Sequence, residues 1–323
     1  MRIFSSPDSF TAQRPSFLVN TLILALLMVL YSLAGELLFW LINGDRLDAL
    51  SLMHTVSTML PLMRLIQVAG QIFVLAIPVI LLAGWHTGSR NAFSRRSLAF
   101  LGVGMHPHSG AIFPAVAGIF LLQPALFTIT ALQDLYLWPA LGAAGSAVVS
   151  QRDMMDSFIK ALAVVRSTPE LFSVVLVFSL TPAVCEELFF RGYIQQNYTR
   201  SMSSAKAVLL TGVVFAFFHL SPANLLPLAF LGWYIGYVYS ASGSLMVPFA
   251  VHLANNLAAL LMLYAAESGF SLNVSAQIPL LRSVWWWVVV AGSLSLFALV
   301  IRRFFPVMPS VAEEGEEKYR SDV

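Results

Sequence analysis

Charge is scarce in this chain. Asp, Glu, Lys and Arg make up 11% of its 323 residues, against about 25% in soluble domains. The balance is also flat: 18 basic and 16 acidic side chains give a net charge of +2. That excludes the strongly basic surface a nucleic-acid partner would require. Cysteine is nearly absent. The single Cys185 rules out an internal disulfide framework, a CxxC redox pair and a cysteine-rich zinc site. What fills the chain instead is apolar. Hydrophobic residues reach 58% and the mean hydropathy is +0.79. Several apolar runs approach the ~20 residues that cross a bilayer as a helix. The composition therefore predicts an all-α, polytopic transmembrane helical bundle with the lipid bilayer as its principal partner.

Eight spans are expected, at about 17–42, 68–84, 111–137, 171–197, 205–220, 223–241, 244–265 and 284–301. Extra interfacial helices lie between them. Residues 50–66 read as too broken by Pro61 and Arg64 to be a span. Residues 151–167 set Met155, Phe158, Leu162 and Val165 on one face and Asp153, Asp156 and Lys160 on the other, an amphipathic helix ended by Pro169. The first apolar run contains a small-residue site after Ala34 that resembles a signal cleavage site. The run continues through "ELLFWLI", which favours an uncleaved span.

Basic residues set the orientation. With both termini cytoplasmic, Arg2, Arg14, Arg90, Arg95, Arg96, Arg200, Lys206, Arg302 and Arg303 share the inner side. Arg46, Arg64, Arg152, Lys160, Arg166 and Arg282 lie on the other. A plasma membrane, bacterial inner-membrane location is expected. The chain divides into a two-span extension with an interfacial helix (1–96), a core (97–265), a C-terminal span (266–305) and an acidic cytoplasmic tail (306–323).

Ionisable residues at bilayer depth are costly and mark function. Glu36 and Asp134 fall near span ends, where interfacial exposure or a helix–helix hydrogen bond accounts for them, and "HPH" at 106–108 reads as a turn. Three clusters remain. In "EELFFR", Glu187 and Arg191 are four residues apart with the glutamate first, the favourable order for an ion pair. Glu186 points about 100° away from Glu187. In "FAFFHL", His219 follows Phe215 by one turn, and in "VHLANN", His252 and Asn256 share a helix face. Counted from the cytoplasmic span ends at ~1.5 Å per residue, all three fall in one layer roughly 12–21 Å deep.

A carboxylate and an imidazole converging on a water make a general-base arrangement. Desolvation makes a carboxylate a better base near neutral pH. A second histidine and an amide supply donors for an oxyanion. Together they describe water attack on an amide bond. The same Glu186, His219 and His252 also compose a zinc ligand set, although no HExxH motif is present. Cys185, alone in an apolar helix, reads as a small hydrophobe rather than a nucleophile. A proton-coupled transporter using these polar residues as a relay, and a non-catalytic immunity or scaffold membrane protein, are the alternatives.

The clusters Glu186-Glu187-xxx-Arg191, Phe215-xxx-His219 and His252-xxx-Asn256, in this order on separate spans, resemble the CPBP (Abi) intramembrane proteases. These include the type II CAAX prenyl endopeptidases. The resemblance covers about residues 97–265. It implies an endopeptidase with a cavity open to the cytoplasm and a peptide or protein substrate. It implies that Glu186 is the general base, holding water with His219. Glu187 would pair with Arg191 and shape the site, while His252 and Asn256 would stabilise the oxyanion. Members are often labelled metalloproteases. The favoured mechanism requires no cofactor, and a zinc site stays open. The family also includes immunity proteins, so a prenylated substrate is not implied, and neither substrate nor oligomeric state can be read.

Overall fold

The computed structural model describes residues 15–43, 59–104, 110–267 and 274–305. The "HPH" turn, the acidic tail and the side chain of Glu36 lie outside what is described. Among the described residues every regular element is helical. The long helices in chain order are α1 (Phe17–Asn43), α2 (Leu60–His86) and, after the short α3 (Arg95–Phe100), α4 (Ile112–Ala140). Next come α5 (Ala143–Leu162), α6 (Thr168–Tyr198), α7 (Ser204–Phe218), α8 (Leu225–Ser242) and α9 (Met246–Glu267). The short α10 (Val274–Arg282) leads into α11 (Val284–Phe304). Among the described residues, five are long and apolar enough to cross a membrane: α2, α4, α6, α9 over Met246–Ala266, and α11. Helices α1, α7 and α8 occupy the other three expected span positions.

Two local expectations are corrected, both because of proline. Pro61 lies in the first turn of α2, where its missing N–H costs nothing. It opens the helix, and residues 60–66 continue into the span. Arg64 is buried, and its guanidinium donates to the carbonyls of Leu162 (2.9 Å) and Val164. Likewise α5 stops at Leu162, and Pro169 opens α6 instead of closing α5. On α5, Leu162 and Phe158 turn inward while Met155 stays exposed. Near α5, Asp134 is paired with Arg152 at 2.6 Å.

Contacts at the helix ends fix the antiparallel order. At one end, the rings of Phe17 and Tyr198 are 5.4 Å apart, and Tyr237 Oη donates to the Phe305 carbonyl at 2.6 Å. At the opposite end, Tyr264 Oη donates to the Ala163 carbonyl at 2.6 Å, and Trp286 Nε1 donates to Thr128 Oγ1 at 3.0 Å. The centre is aromatic, with Phe189, Phe190, Phe215 and Phe218 packed edge to face or tilted. Helices α7 and α8 meet through glycine, since a Cβ on Gly232 would lie 2.9 Å from Gly212 Cα. Close backbone approach through small residues is the usual way helices associate in lipid. Helix α11 turns Trp285, Val288, Leu296 and Leu299 outward, as a lipid-facing surface requires.

Two stretches of wider, i→i+5 bonded helix bear on the site. One is Leu188–Gln195, immediately after the paired glutamates. The other is Gln71–Ala76 of α2, which packs against Thr181–Glu187. Such bulges shift the register of side chains and often occur at functional sites.

Candidate active site

Helix α6 carries both glutamates into the protein interior, and its rotation of about 100° per residue aims them at different neighbours. Glu187 Oε1 accepts from Arg191 NH1 at 2.8 Å, the expected ion pair. The same oxygen accepts from His252 Nδ1 of α9 at 2.7 Å. Arg191 is completely buried. Its NH2 donates to the Gly232 carbonyl at 3.0 Å, and its guanidinium lies 4.9 Å from the Phe215 ring centre. The pair is thus embedded among α8, α9 and aromatic rings rather than closed on itself. Pairing and these hydrogen bonds offset part of the cost of burial, although Glu187 Oε2 and Arg191 Nε have no hydrogen-bond partner among the described residues.

His252 joins the two glutamates. With Nδ1–H donated to Glu187, its Nε2 faces Glu186 Oε2 across 4.0 Å. That separation is too long for a direct hydrogen bond and suits one bridging molecule. Glu186 is 5% exposed. Its Oε1 accepts from Gln71 Nε2 at 3.2 Å, whereas Oε2 is buried with no hydrogen-bond partner among the described residues.

His219 ends α7. Its ring nitrogen Nδ1 lies 2.8 Å from the Phe215 carbonyl, which can only accept, so Nδ1 carries the proton and Nε2 is an acceptor. Leu220, next in the chain, has φ of 49°, a left-handed conformation costly for a branched residue. It turns the chain sharply after His219, and its carbonyl is held by Gln151 Nε2 at 3.2 Å. The Phe215 ring lies between the two histidines, 4.6 Å from His219 and 5.9 Å from His252. His219 therefore joins the cluster through Phe215 and is not in hydrogen-bond contact with Glu186. Asn256 lies one turn beyond His252. Its Oδ1 accepts from Asn255 Nδ2 at 3.4 Å, and Asn255 Oδ1 accepts from Gln123 Nε2 of α4 at 3.2 Å. The structure thus brings Glu186, Glu187, Arg191 and His252 into direct company, with His219 and Asn256 at the margin.

Two residues were missed by sequence reasoning. Gln71 of α2 and Tyr31 of α1 reach the site, the Gln71 amide lying 3.2 Å from both Tyr31 Oη and Glu186 Oε1. The available signal was a pair of amides, Gln67 and Gln71, one helical turn apart in an otherwise mostly apolar run. The donor set was also tested for a metal. Among the described residues, no group of three His, Cys, Asp or Glu side chains is placed to hold an ion. His252 Nδ1 and His219 Nδ1 are each engaged by protein oxygens, which leaves the Nε2 atoms as the ones facing any ligand. No chemical step below passes through a metal.

The fold and site together define a multi-pass membrane protein with a buried Glu/His/Arg cluster in its interior. Residues 168–258 match a family model described as type II CAAX prenyl endopeptidase Rce1-like, consistent with a CPBP-family protease. The matched segment contains all three motifs, from Glu186 to Asn256. At the level of the family this supports a membrane-embedded protease acting on peptide substrates. No curated protein and no solved structure gives a match.

Proposed function

We propose that the protein is an intramembrane endopeptidase that hydrolyses a peptide bond with water activated by Glu186. The observation carrying this reading is Glu186 Oε2: buried, without a partner, and 4.0 Å from an imidazole nitrogen that Glu187 orients from behind. A water on Glu186 Oε2 loses a proton to it as its oxygen attacks the substrate carbonyl carbon. The two histidines suit different tasks. His219, committed to Phe215 through Nδ1–H, can only accept at Nε2, which suits holding the water. His252, oriented by the Glu187 carboxylate, is assigned to the oxyanion in its doubly protonated form, donating Nε2–H without transferring it, with the Asn256 amide as the second donor. Glu186 then passes its proton to the departing nitrogen as the C–N bond breaks. A carboxylic acid and an amine leave, and Glu186 is again a carboxylate. The mechanism requires no metal cofactor.

The proposed setting is a bacterial plasma membrane with both chain termini in the cytoplasm and the cavity open to that side. The supporting observation is that Arg95, Arg96, Arg200, Lys206, Arg302 and Arg303 gather at one end of the bundle. The proposed substrate is a membrane-associated peptide, with no lipid group specified. Cleavage by purified protein in liposomes, lost in Glu186→Gln and retained in the presence of a chelator, tests the reading. Movement of a solute without proteolysis would replace it with the transporter.

A further inference from the structure

Gln71 lies on α2, about 100 residues upstream of the matched family segment, yet it touches the proposed base. It is buried at the start of the wide helical stretch Gln71–Ala76. Its amide nitrogen has two hydrogens and two acceptors at equal distance: Tyr31 Oη and Glu186 Oε1, each 3.2 Å away. Reversing the amide would set its carbonyl oxygen against the carboxylate, two acceptors facing each other. The orientation is therefore fixed by its partners. Tyr31 is held in turn by its ring, 4.8 Å from that of Phe218. Seven residues before Gln71, on the same face of α2, Arg64 anchors the helix to the Leu162 and Val164 carbonyls.

On the reading of Glu186 as general base, we propose that Gln71, seated by Tyr31, is the positioning residue of that base. The amide occupies Oε1 and leaves Oε2 as the carboxylate oxygen available to water. It also keeps Glu186 from swinging onto His252. The gap of 4.0 Å between Oε2 and His252 Nε2 is wide enough for a bridging molecule, but a small carboxylate rotation would close it into a direct contact. Gln71 Oε1, buried and without a partner among the described residues, offers an acceptor beside the carboxylate for a donor group of the bound substrate. Helices α1 and α2 are on this account part of the reaction machinery. The other titratable groups around Glu186 are Tyr31 on α1, Cys185, Glu187 and Arg191 on α6, and His252 on α9; none supplies a hydrogen bond to Oε1.

The test pairs a spectroscopic readout with kinetics on the full-length protein in lipid nanodiscs. The infrared carboxylate band of Glu186 is assigned by its loss in Glu186→Gln. In Gln71→Leu that band is expected to shift, because Oε1 loses its donor. Cleavage of an internally quenched peptide carrying a prenylated cysteine is expected to fall in kcat by about 10–100-fold at unchanged KM, the usual size of losing an orienting partner. Tyr31→Phe, which removes one hydroxyl and no donor to Glu186, is expected to give a smaller shift in the same direction. It supplies the readout if Gln71→Leu does not fold. An unmoved band in the variants would overturn the proposal, as would a Gln71→Leu protein with the kcat of wild type. A wild-type protein that cleaves no peptide would instead count against the protease reading, and the band would still decide whether Gln71 positions Glu186.

Discussion

Glu187 Oε1 answers two donors at once, Arg191 from its own helix and His252 from α9. Removing the guanidinium leaves a buried carboxylate with one imidazole and no permanent cation. Arg191→Met is expected to destabilise the protein by about 3–5 kcal/mol, read as a fall in unfolding temperature in detergent. Adding Glu187→Gln is expected to recover much of the loss, since the uncompensated charge goes with it. An Arg191→Met protein as stable as wild type would show that the pair bears no structural weight. The Glu187–Arg191 pair was legible in the sequence because four-residue spacing on a helix encodes it directly. The His252–Glu187 and Gln71–Glu186 bonds were not. They depend on how α9 and α2 are rotated against α6, and that is set by packing between distant segments. The distinct environments of the two glutamates were visible as a 100° offset; the identity of the neighbours was not.

Among the helices, glycine decides how closely α7 and α8 approach, and with them His219 and the Gly232 carbonyl that holds Arg191. A Cβ on Gly212 would fall 2.2 Å from Trp233 Cδ1 and 2.8 Å from its backbone nitrogen. Gly212→Val is therefore expected to cost about 1–3 kcal/mol through overpacking. Gly70→Ala, whose new Cβ meets nothing within 4 Å, serves as the control and is expected to be neutral or better. Equal unfolding temperatures for the two variants would contradict the close-packed interface. Hydropathy placed the spans well because a bilayer imposes length and apolarity on each one. It misjudged the starts of α2 and α6, since a proline in a first turn and a proline that breaks a helix look alike without the backbone. The wide turns at Gln71–Ala76 and Leu188–Gln195 leave no periodicity signal in so apolar a sequence.

At the scale of the whole molecule, the end contacts establish alternating helices, and the proposed topology places the end rich in basic residues in the cytoplasm. Ser204 at the start of α7 and Ser167 just before α6 are exposed at opposite ends. In a Cys185→Ala background, Ser204→Cys is expected to react with an impermeant maleimide only in inside-out vesicles, and Ser167→Cys only in right-side-out ones. The reverse pattern would invert the proposed topology. What the bundle accomplishes is to bring Glu186 Oε2, without a hydrogen-bond partner among the described residues and facing an imidazole oriented by Glu187, into a protein interior where few charges are tolerated. The most direct measurement of that claim is peptide-bond cleavage by purified wild-type and Glu186→Gln proteins in liposomes, with equal insertion confirmed for both. The account predicts cleavage by the wild type that persists with chelator and a loss of at least about 100-fold in Glu186→Gln. Cleavage by Glu186→Gln at the wild-type rate would contradict it.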